Sequence, residues 1–217
     1  MGAGYHGLND LPTTLGVFPL TGVLLLPRGQ LPLNVFEPRY LALVDEALAG
    51  TRLIGMIQPR EHEDKILRPT LNAIGCAGRI TAYRETEDGR YLITLTGVCR
   101  FHVAEEIATS APYRLVKADF APYLADLITA NEDNFPRERL LAALRDYLSR
   151  RDLKADWKSV ISAPPETLVN ALAMLCPFEP AEKQALLEAP GWLERVDTLV
   201  ALLEMAGAGP PGPVSLN

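Results

Sequence analysis

Residues 30–50 read QLPLNVFEPRYLALVDEALAG, and this stretch decides the fold because its periodicity changes halfway along. Gln30–Phe36 alternates apolar and polar side chains, which is typical of a β-strand with one buried face. From Pro38 onward the apolar residues recur at three- and four-residue spacing until Gly50, which predicts a helix. Pro38 suits the first turn of that helix, with Glu37 as its cap or first-turn acid. The stretch therefore predicts a junction between a strand and a helix.

Strand signals surround this junction between residue 13 and residue 122. Short apolar or alternating runs, bounded by glycine, proline or an Asp-Gly turn, predict strands at Leu15–Leu20, Val23–Leu26, Gln30–Phe36, Leu53–Gln58, Ala73–Thr86, Tyr91–Val103 and Tyr113–Phe120. A helix between the third and fourth of these strands favours a closed or partly closed barrel over a sandwich.

The second half of the chain is helical in character from Leu124 onward. Amphipathic stretches, each opened by a proline or a glycine, predict helices that begin near Pro136, Pro164, Glu179 and Gly191. The apolar stripe of the second helix contains Leu168, Val169, Leu172 and Leu175. Short proline-rich turns join them, which is typical of a small bundle. We therefore predict an α+β protein with a flexible N-terminus (1–12), a β-barrel lobe (13–122), a C-terminal α-helical bundle lobe (123–206) and a disordered tail (207–217).

Composition narrows the class of partner. The 217 residues are 48% hydrophobic and 22% charged, which is typical of a folded protein. The formal net charge of -6 opposes binding to phosphate backbones and anionic lipid, so nucleic acid is an unlikely partner and no membrane partner is expected. The N-terminus has neither a basic segment nor an apolar core, which predicts a cytoplasmic location. The cysteines are widely spaced in apolar sequence, so we expect buried free thiols at Cys76, Cys99 and Cys176.

Four stretches, taken in order, carry a family resemblance. They are FPLTGVLLLPRGQLPLNVFEPRY at 18–40, IGCAGRI at 74–80, LTGVCRFHV at 95–103, and LVNALAMLCPFEPAEKQALLEAPGWLERVDTLVALLEM at 168–205. Together they resemble the N-terminal substrate-binding domain of Lon proteases, and the form NVFEPRY is closer still to stand-alone Lon-domain proteins and to the corresponding domain of cereblon. The resemblance implies that the barrel is PUA-like and that helices follow it.

A full Lon protease continues into an AAA+ ATPase and a Ser-Lys peptidase. This sequence contains no G-x-x-x-x-G-K-[ST] loop to hold phosphates and no peptidase module. The resemblance thus implies a recognition module that is not an enzyme and needs no cofactor. It would bind exposed or extended polypeptide segments or another protein in protein quality control, and formation of a homo-oligomer stays open.

The strand–helix junction supplies most of the candidate binding residues: Phe36, Glu37, Arg39 and Tyr40, joined by Arg100 from the Gly-x-x-Arg strand. A structural interpretation is favoured, in which Tyr40 packs under the barrel while Glu37 and Arg39 satisfy nearby partners, with Arg100 as a neighbour. In the functional interpretation, Arg39 edges a groove between the lobes that holds an extended polypeptide.

Two other functions are weighed against peptide recognition. The first is RNA or nucleotide binding in the manner of PUA modules, but acidic residues interrupt the basic cluster at 145–158, which favours a solvated helix face. The second is a small hydrolase with a dispersed site. No serine lies in G-x-S-x-G or S-x-x-K, and His102 is expected to be packed in a strand, so no catalytic residue is assigned. His62 lies in an acidic loop without a second ligand cluster, so no metal site is assigned.

Overall fold

The computed structural model describes residues 4–60, 68–129 and 132–206. Its strands are β1 (Thr14–Pro19), β2 (Gln30–Val35), β3 (Leu53–Ile57), β4 (Ile74–Glu85), β5 (Tyr91–Ile107) and β6 (Arg114–Asp119). Its α-helices are α1 (Pro38–Ala49), α2 (Arg137–Arg150), α3 (Trp157–Ser162), α4 (Pro165–Leu175), α5 (Pro180–Glu188) and α6 (Trp192–Ala206), and 3-10 helices span Leu8–Asp10 and Ala121–Leu127. The mixed α+β class predicted from the sequence is confirmed.

The strands form a sheet in the order β2-β5-β4-β3-β1-β6, and β6 also pairs with β5. The strands β5, β4, β3, β1 and β6 are therefore paired in a circuit, in which the last strand pairs with the first; we call this the strand circuit. The length of β5 makes this possible, because residues 91–96 pair with β2 whereas residues 102–107 pair with β6. Only the β1–β3 pair is parallel among the described strands. Strand β2 lies outside the strand circuit and is joined to it by its pairing with β5.

Two hydrophobic cores result from this arrangement. One is enclosed by the strand circuit and contains Leu15, Val17 and Phe101. The other continues from the sheet into the helices, so that Tyr40 of α1 and Tyr147 of α2 belong to the same buried cluster. The helices therefore share their core with the sheet, and the two parts of the chain pack as one body.

The predicted strand at Val23–Leu26 is wrong. The segment has no strand pairing, yet Leu24, Leu25 and Leu26 are buried. A short apolar run signals burial and cannot distinguish a core strand from a buried loop. Here the segment ends in a turn before Gln30, in which the Gly29 N–H donates to the Leu26 carbonyl at 2.9 Å.

The segment before β1 is more structured than a flexible leader. Leu11 is buried in the core inside the strand circuit. The Tyr5 hydroxyl accepts a hydrogen bond from Arg79 at 3.1 Å. The chain therefore packs against the sheet before residue 13. The sequence did not predict this, because neither Leu11 nor Tyr5 lies in a periodic stretch.

The predicted tail at 207–217 and the acidic loop that contains His62 lie outside the described residues. Within the described part of the chain, no helix has the length and apolar character needed to cross a bilayer.

Candidate functional site

The predicted junction forms as expected, with Pro38 in the first turn of α1 and Glu37 at its N-cap. Tyr40 is buried, and its ring stacks on Phe18 with centroids 3.9 Å apart. Its hydroxyl donates to the Pro19 carbonyl at 3.3 Å. Burial raises the pKa of the Tyr40 phenol above its ordinary value. Tyr40 therefore anchors α1 to the sheet.

The other junction residues lie at the surface. The Arg39 guanidinium pairs with Glu37 at 2.8 Å and lies over the Tyr40 ring, 4.5 Å from its centroid. Phe36 is 61% exposed, and Arg90 is stacked 6.0 Å from its ring. The structure thus brings four of the five candidate residues together, with Phe36 and Arg39 accessible to a ligand.

Arg100 lies elsewhere, and its expected proximity to Glu37 and Arg39 is wrong. Only 3% of Arg100 is exposed, and its guanidinium forms a two-pronged ion pair with the buried Asp126, at 2.8 and 2.9 Å. The same group donates to the carbonyls of Leu187 at 3.0 Å and Ala189 at 2.6 Å. Arg100 therefore joins β5 to the end of α5 and has no surface on which to contact a ligand.

The glycine of the same Gly-x-x-Arg motif has a steric explanation. A Cβ atom on Gly97 would lie 2.0 Å from the Leu26 carbonyl oxygen, which is far inside contact distance. Its backbone holds the turn before β2, since its N–H donates to the Gly29 carbonyl and its carbonyl accepts from Arg28. The motif thus positions the start of β2 through Gly97 and the helices through Arg100.

A groove lies between the start of β2 and α4, with a volume of about 530 Å³. We call it the interlobe groove, and it is lined by Arg28, Gly29, Gln30, Glu166, Thr167, Asn170, Ala171, Met174 and Leu175. Arg28 is ion-paired with Glu166 across it. Leu175 is 82% exposed, so the groove ends at a large apolar side chain in contact with solvent.

The sequence places Leu175 on the buried stripe of α4, and the structure corrects this. Leu168 and Val169 are buried as expected, whereas Leu175 is the last helical residue and faces outward. Asn170 of α4 is buried, and its side chain donates to the Pro27 carbonyl at 2.9 Å, which fixes the width of the groove. None of the five predicted site residues lines it.

Among the described strands β2 pairs with β5 alone, so its other edge is free, and its first residue, Gln30, lines this groove. The Gly97 N–H donates to the Gly29 carbonyl, and residues in hydrogen-bonded positions recur every second residue along an antiparallel pair. Leu31 and Leu33 therefore bond to β5, whereas the N–H and carbonyl groups of Gln30 and Asn34 point to the open side. Pro32, between them, has no N–H to offer, which is a common feature of edge strands.

The histidine weighed for hydrolysis, His102, lies on β5. His102 is exposed, which contradicts the expected packing, and no serine or cysteine bonds to it within the ranges the structure covers. Burial raises the pKa of the Cys99 thiol to about 12 and that of Cys176 to about 11. Thiols in such surroundings are poor nucleophiles at neutral pH.

The sequence of this chain is similar to those of known proteins. Residues 14–205 match the family model of the ATP-dependent protease La (LON) substrate-binding domain. The Lon protease of Parabacteroides distasonis is 29% identical over 215 residues, which cover 91% of this chain and 24% of that protein. The Lon protease of Roseiflexus castenholzii is 26% identical, with 90% of this chain and 24% of that protein covered. The chain thus spans about a quarter of the length of these relatives.

Solved structures show the same fold. The Lon N-terminal domain protein from Xanthomonas campestris superposes with a TM-score of 0.59 at 25% identity, over 88% of this chain and 98% of that one. The N-terminal domain of the Mycobacterium avium complex Lon protease gives a TM-score of 0.60 at 17% identity, over 88% and 97%. The α+β architecture described above is therefore that of these domains.

Proposed function

The chain belongs to the family of ATP-dependent protease La (Lon) substrate-binding domains, and from this premise we propose that it binds exposed, extended polypeptide segments without transforming them. A role in protein quality control, a cytoplasmic location and a PUA-like description of the closed strand circuit are parts of the same proposal.

The observation that carries the proposal is the interlobe groove beside the free edge of β2. An extended segment that pairs with an edge strand gains main-chain hydrogen bonds, which do not depend on its sequence. Six residues of β2 offer a length of about 20 Å. This length matches a segment of about six residues in the bound chain.

The groove adds apolar contact to this edge. Met174 and Leu175 lie beside Gln30, the first residue of β2. An apolar side chain of the bound segment would cover Leu175 and remove its exposed surface from water. The charges of Arg28 and Glu166 already pair with each other, so the groove favours a neutral segment over a strongly charged one.

The test is a Leu175→Asp substitution, which places a charge at the exposed end of the groove. Fluorescence anisotropy would follow the binding of a labelled, reduced and carbamidomethylated lactalbumin, which cannot refold and whose blocked cysteines carry no added charge. We expect the affinity to fall by about tenfold, as for the loss of one well-packed apolar contact. The side chain is already in solvent, so stability should change little.

Met205→Asp is the matched control, because Met205 is also a large exposed side chain, 67% exposed on α6 and outside the groove. It should bind the labelled chain as the wild type does. Equal affinity for the wild type and both variants would contradict the proposed surface.

A salt series on the same complex separates this function from nucleic-acid binding. Binding through the apolar groove should change little as salt rises, whereas neutralisation of phosphates would give a steep loss of affinity. A steep loss for a labelled RNA, together with no binding of the unfolded protein, would favour the alternative.

A further inference from the structure

A second pocket lies at the strand–helix junction, away from the interlobe groove. It is about 240 Å³ in volume, and Arg39, Arg68 and Arg114 all contribute to its wall. We call it the arginine pocket. Tyr40, Tyr113 and Pro19 form its apolar surfaces, and none of the described residues that line it is acidic. Guanidinium groups above aromatic walls are suited to a planar anion.

The charges around this pocket do not balance. Glu106 accepts from Arg68 at 2.7 Å and from Arg114 at 2.6 Å, and Glu37 pairs with Arg39 at 2.8 Å. In the part of the chain that the structure describes, three guanidinium groups thus share two carboxylates. An excess positive charge results locally, in a chain whose formal net charge is -6.

Hydrogen-bond donors also remain in excess. A guanidinium carries five N–H donors. Arg68 directs Nη2 to Glu106, and Arg39 directs Nε and Nη2 to Glu37, among the residues the structure describes. The Nη1 groups of Arg39 and Arg68 are therefore available to a ligand. Arg114 is more constrained, because its Nη1 donates to the Pro69 carbonyl at 2.6 Å.

The size of the pocket limits the ligand. Pockets for drug-sized molecules have volumes of about 300–1,000 Å³, so 240 Å³ suits a small acid or the last residue of a chain. We propose that the arginine pocket binds a carboxylate, carried either by a small molecule or by the C-terminus of a peptide. A carboxylate matches the planar donor geometry of arginine, and an adjacent side chain can pack on the partly exposed Tyr113. This proposal is independent of the interlobe groove.

The experiment is an NMR titration of the full chain with N-acetyl-leucine, with N-acetyl-leucine amide and inorganic phosphate as comparison ligands. We expect the acid to shift the side-chain Nε–H signals of Arg39 and Arg68, and the amide to leave them unchanged. The double variant Arg39→Gln/Arg68→Gln should bind the acid at least about tenfold more weakly, as expected for the loss of charge-assisted hydrogen bonds.

Arg90→Gln is the control, because Arg90 is an exposed arginine that pairs with Asp88 and does not line the pocket. It should bind as the wild type does. Backbone amide spectra establish that each variant is folded. Equal responses to acid and amide, undiminished binding by the double variant, or tighter binding of phosphate than of the acid would overturn the proposal.

A hexapeptide that ends in leucine, with a free or an amidated C-terminus, distinguishes the two sources of the carboxylate. Tighter binding of the free hexapeptide than of N-acetyl-leucine identifies a chain end as the ligand. Equal affinity identifies a small acid, because the extra residues then contribute no contact. Both outcomes require the amidated hexapeptide to bind more weakly than the free one.

Discussion

The ion pair between Arg100 and Asp126 should be the polar interaction whose loss costs the most stability. Asp126 is 7% exposed, and its carboxylate accepts from Nε and Nη2 of Arg100 and from the Arg100 backbone N–H at 3.0 Å. The change Asp126→Ala removes both carboxylate oxygens and with them three hydrogen bonds. It leaves a guanidinium that is almost completely buried without a counter-charge.

The expected cost can be estimated from these contacts. Breaking a buried ion pair by removing one partner costs about 3–5 kcal/mol of unfolding free energy. The carbonyls of Leu187 and Ala189 would still accept from Arg100 after the substitution. We therefore expect a value near the lower end, about 3 kcal/mol. In a chain of this length, that should lower Tm by about 6–12 °C.

Urea unfolding followed by circular dichroism measures this cost, and Asp197→Ala provides the control. Asp197 pairs with Arg139 at 3.0 Å, but the two side chains are 65% and 53% exposed. Its removal should cost less than about 1 kcal/mol. If the two substitutions destabilise the protein to the same extent, the assignment of Arg100 to a structural role is wrong.

Three further predictions concern the sheet and the thiols. Gly97→Ala should destabilise the protein by about 1–3 kcal/mol in urea unfolding, because its Cβ would overlap the Leu26 carbonyl; Gly7→Ala, with open space around it, should be neutral. Hydrogen bonding to Arg114 holds the pKa of Glu106 below its ordinary value of 4.5. Its contribution to stability is therefore present above that pH and is lost below it, so the difference in unfolding free energy between wild type and Glu106→Gln should shrink on acidification. Finally, a disulfide reagent at neutral pH should react slowly with the native thiols and rapidly in urea, because all three cysteines are buried: Cys76, Cys99 and Cys176. Rapid reaction of the native protein would contradict this burial.

The sequence was most informative where one local rule determined the structure. The junction at residues 37–40 follows from the change of period and from Pro38, and its helix lies where the pattern predicted it. The helices that begin near Pro164 and Glu179 were predicted for the same reason. In each case the proline fixes the start of the helix without reference to distant residues.

Features that depend on distant contacts were not predicted. Arg100 was expected beside Arg39, because the sequence does not show that β5 brings it to Asp126 and to the end of α5. Helix α3 was missed as well. Its only local signal is Asp156, whose carboxylate caps the helix by accepting from the N–H groups of Lys158 and Ser159.

The sequence suggested a groove between the lobes but placed Arg39 at its edge, and it did not predict the residues that line the interlobe groove. This groove forms where a loop before β2 meets α4, and these elements are more than a hundred residues apart in the chain. Leu175 fits the apolar stripe of its helix, so that periodicity assigned it to the core. In the structure Leu175 is the last residue of α4 and is 82% exposed.

Residue-resolved amide exchange tests most directly whether β2 receives an extended polypeptide. The free protein should exchange the outward N–H groups of Gln30 and Asn34 quickly and those of Leu31 and Leu33 slowly. When saturating carbamidomethylated lactalbumin is added, Gln30 and Asn34 should become protected. Unchanged exchange at both positions in a demonstrably bound complex would contradict strand addition at this edge.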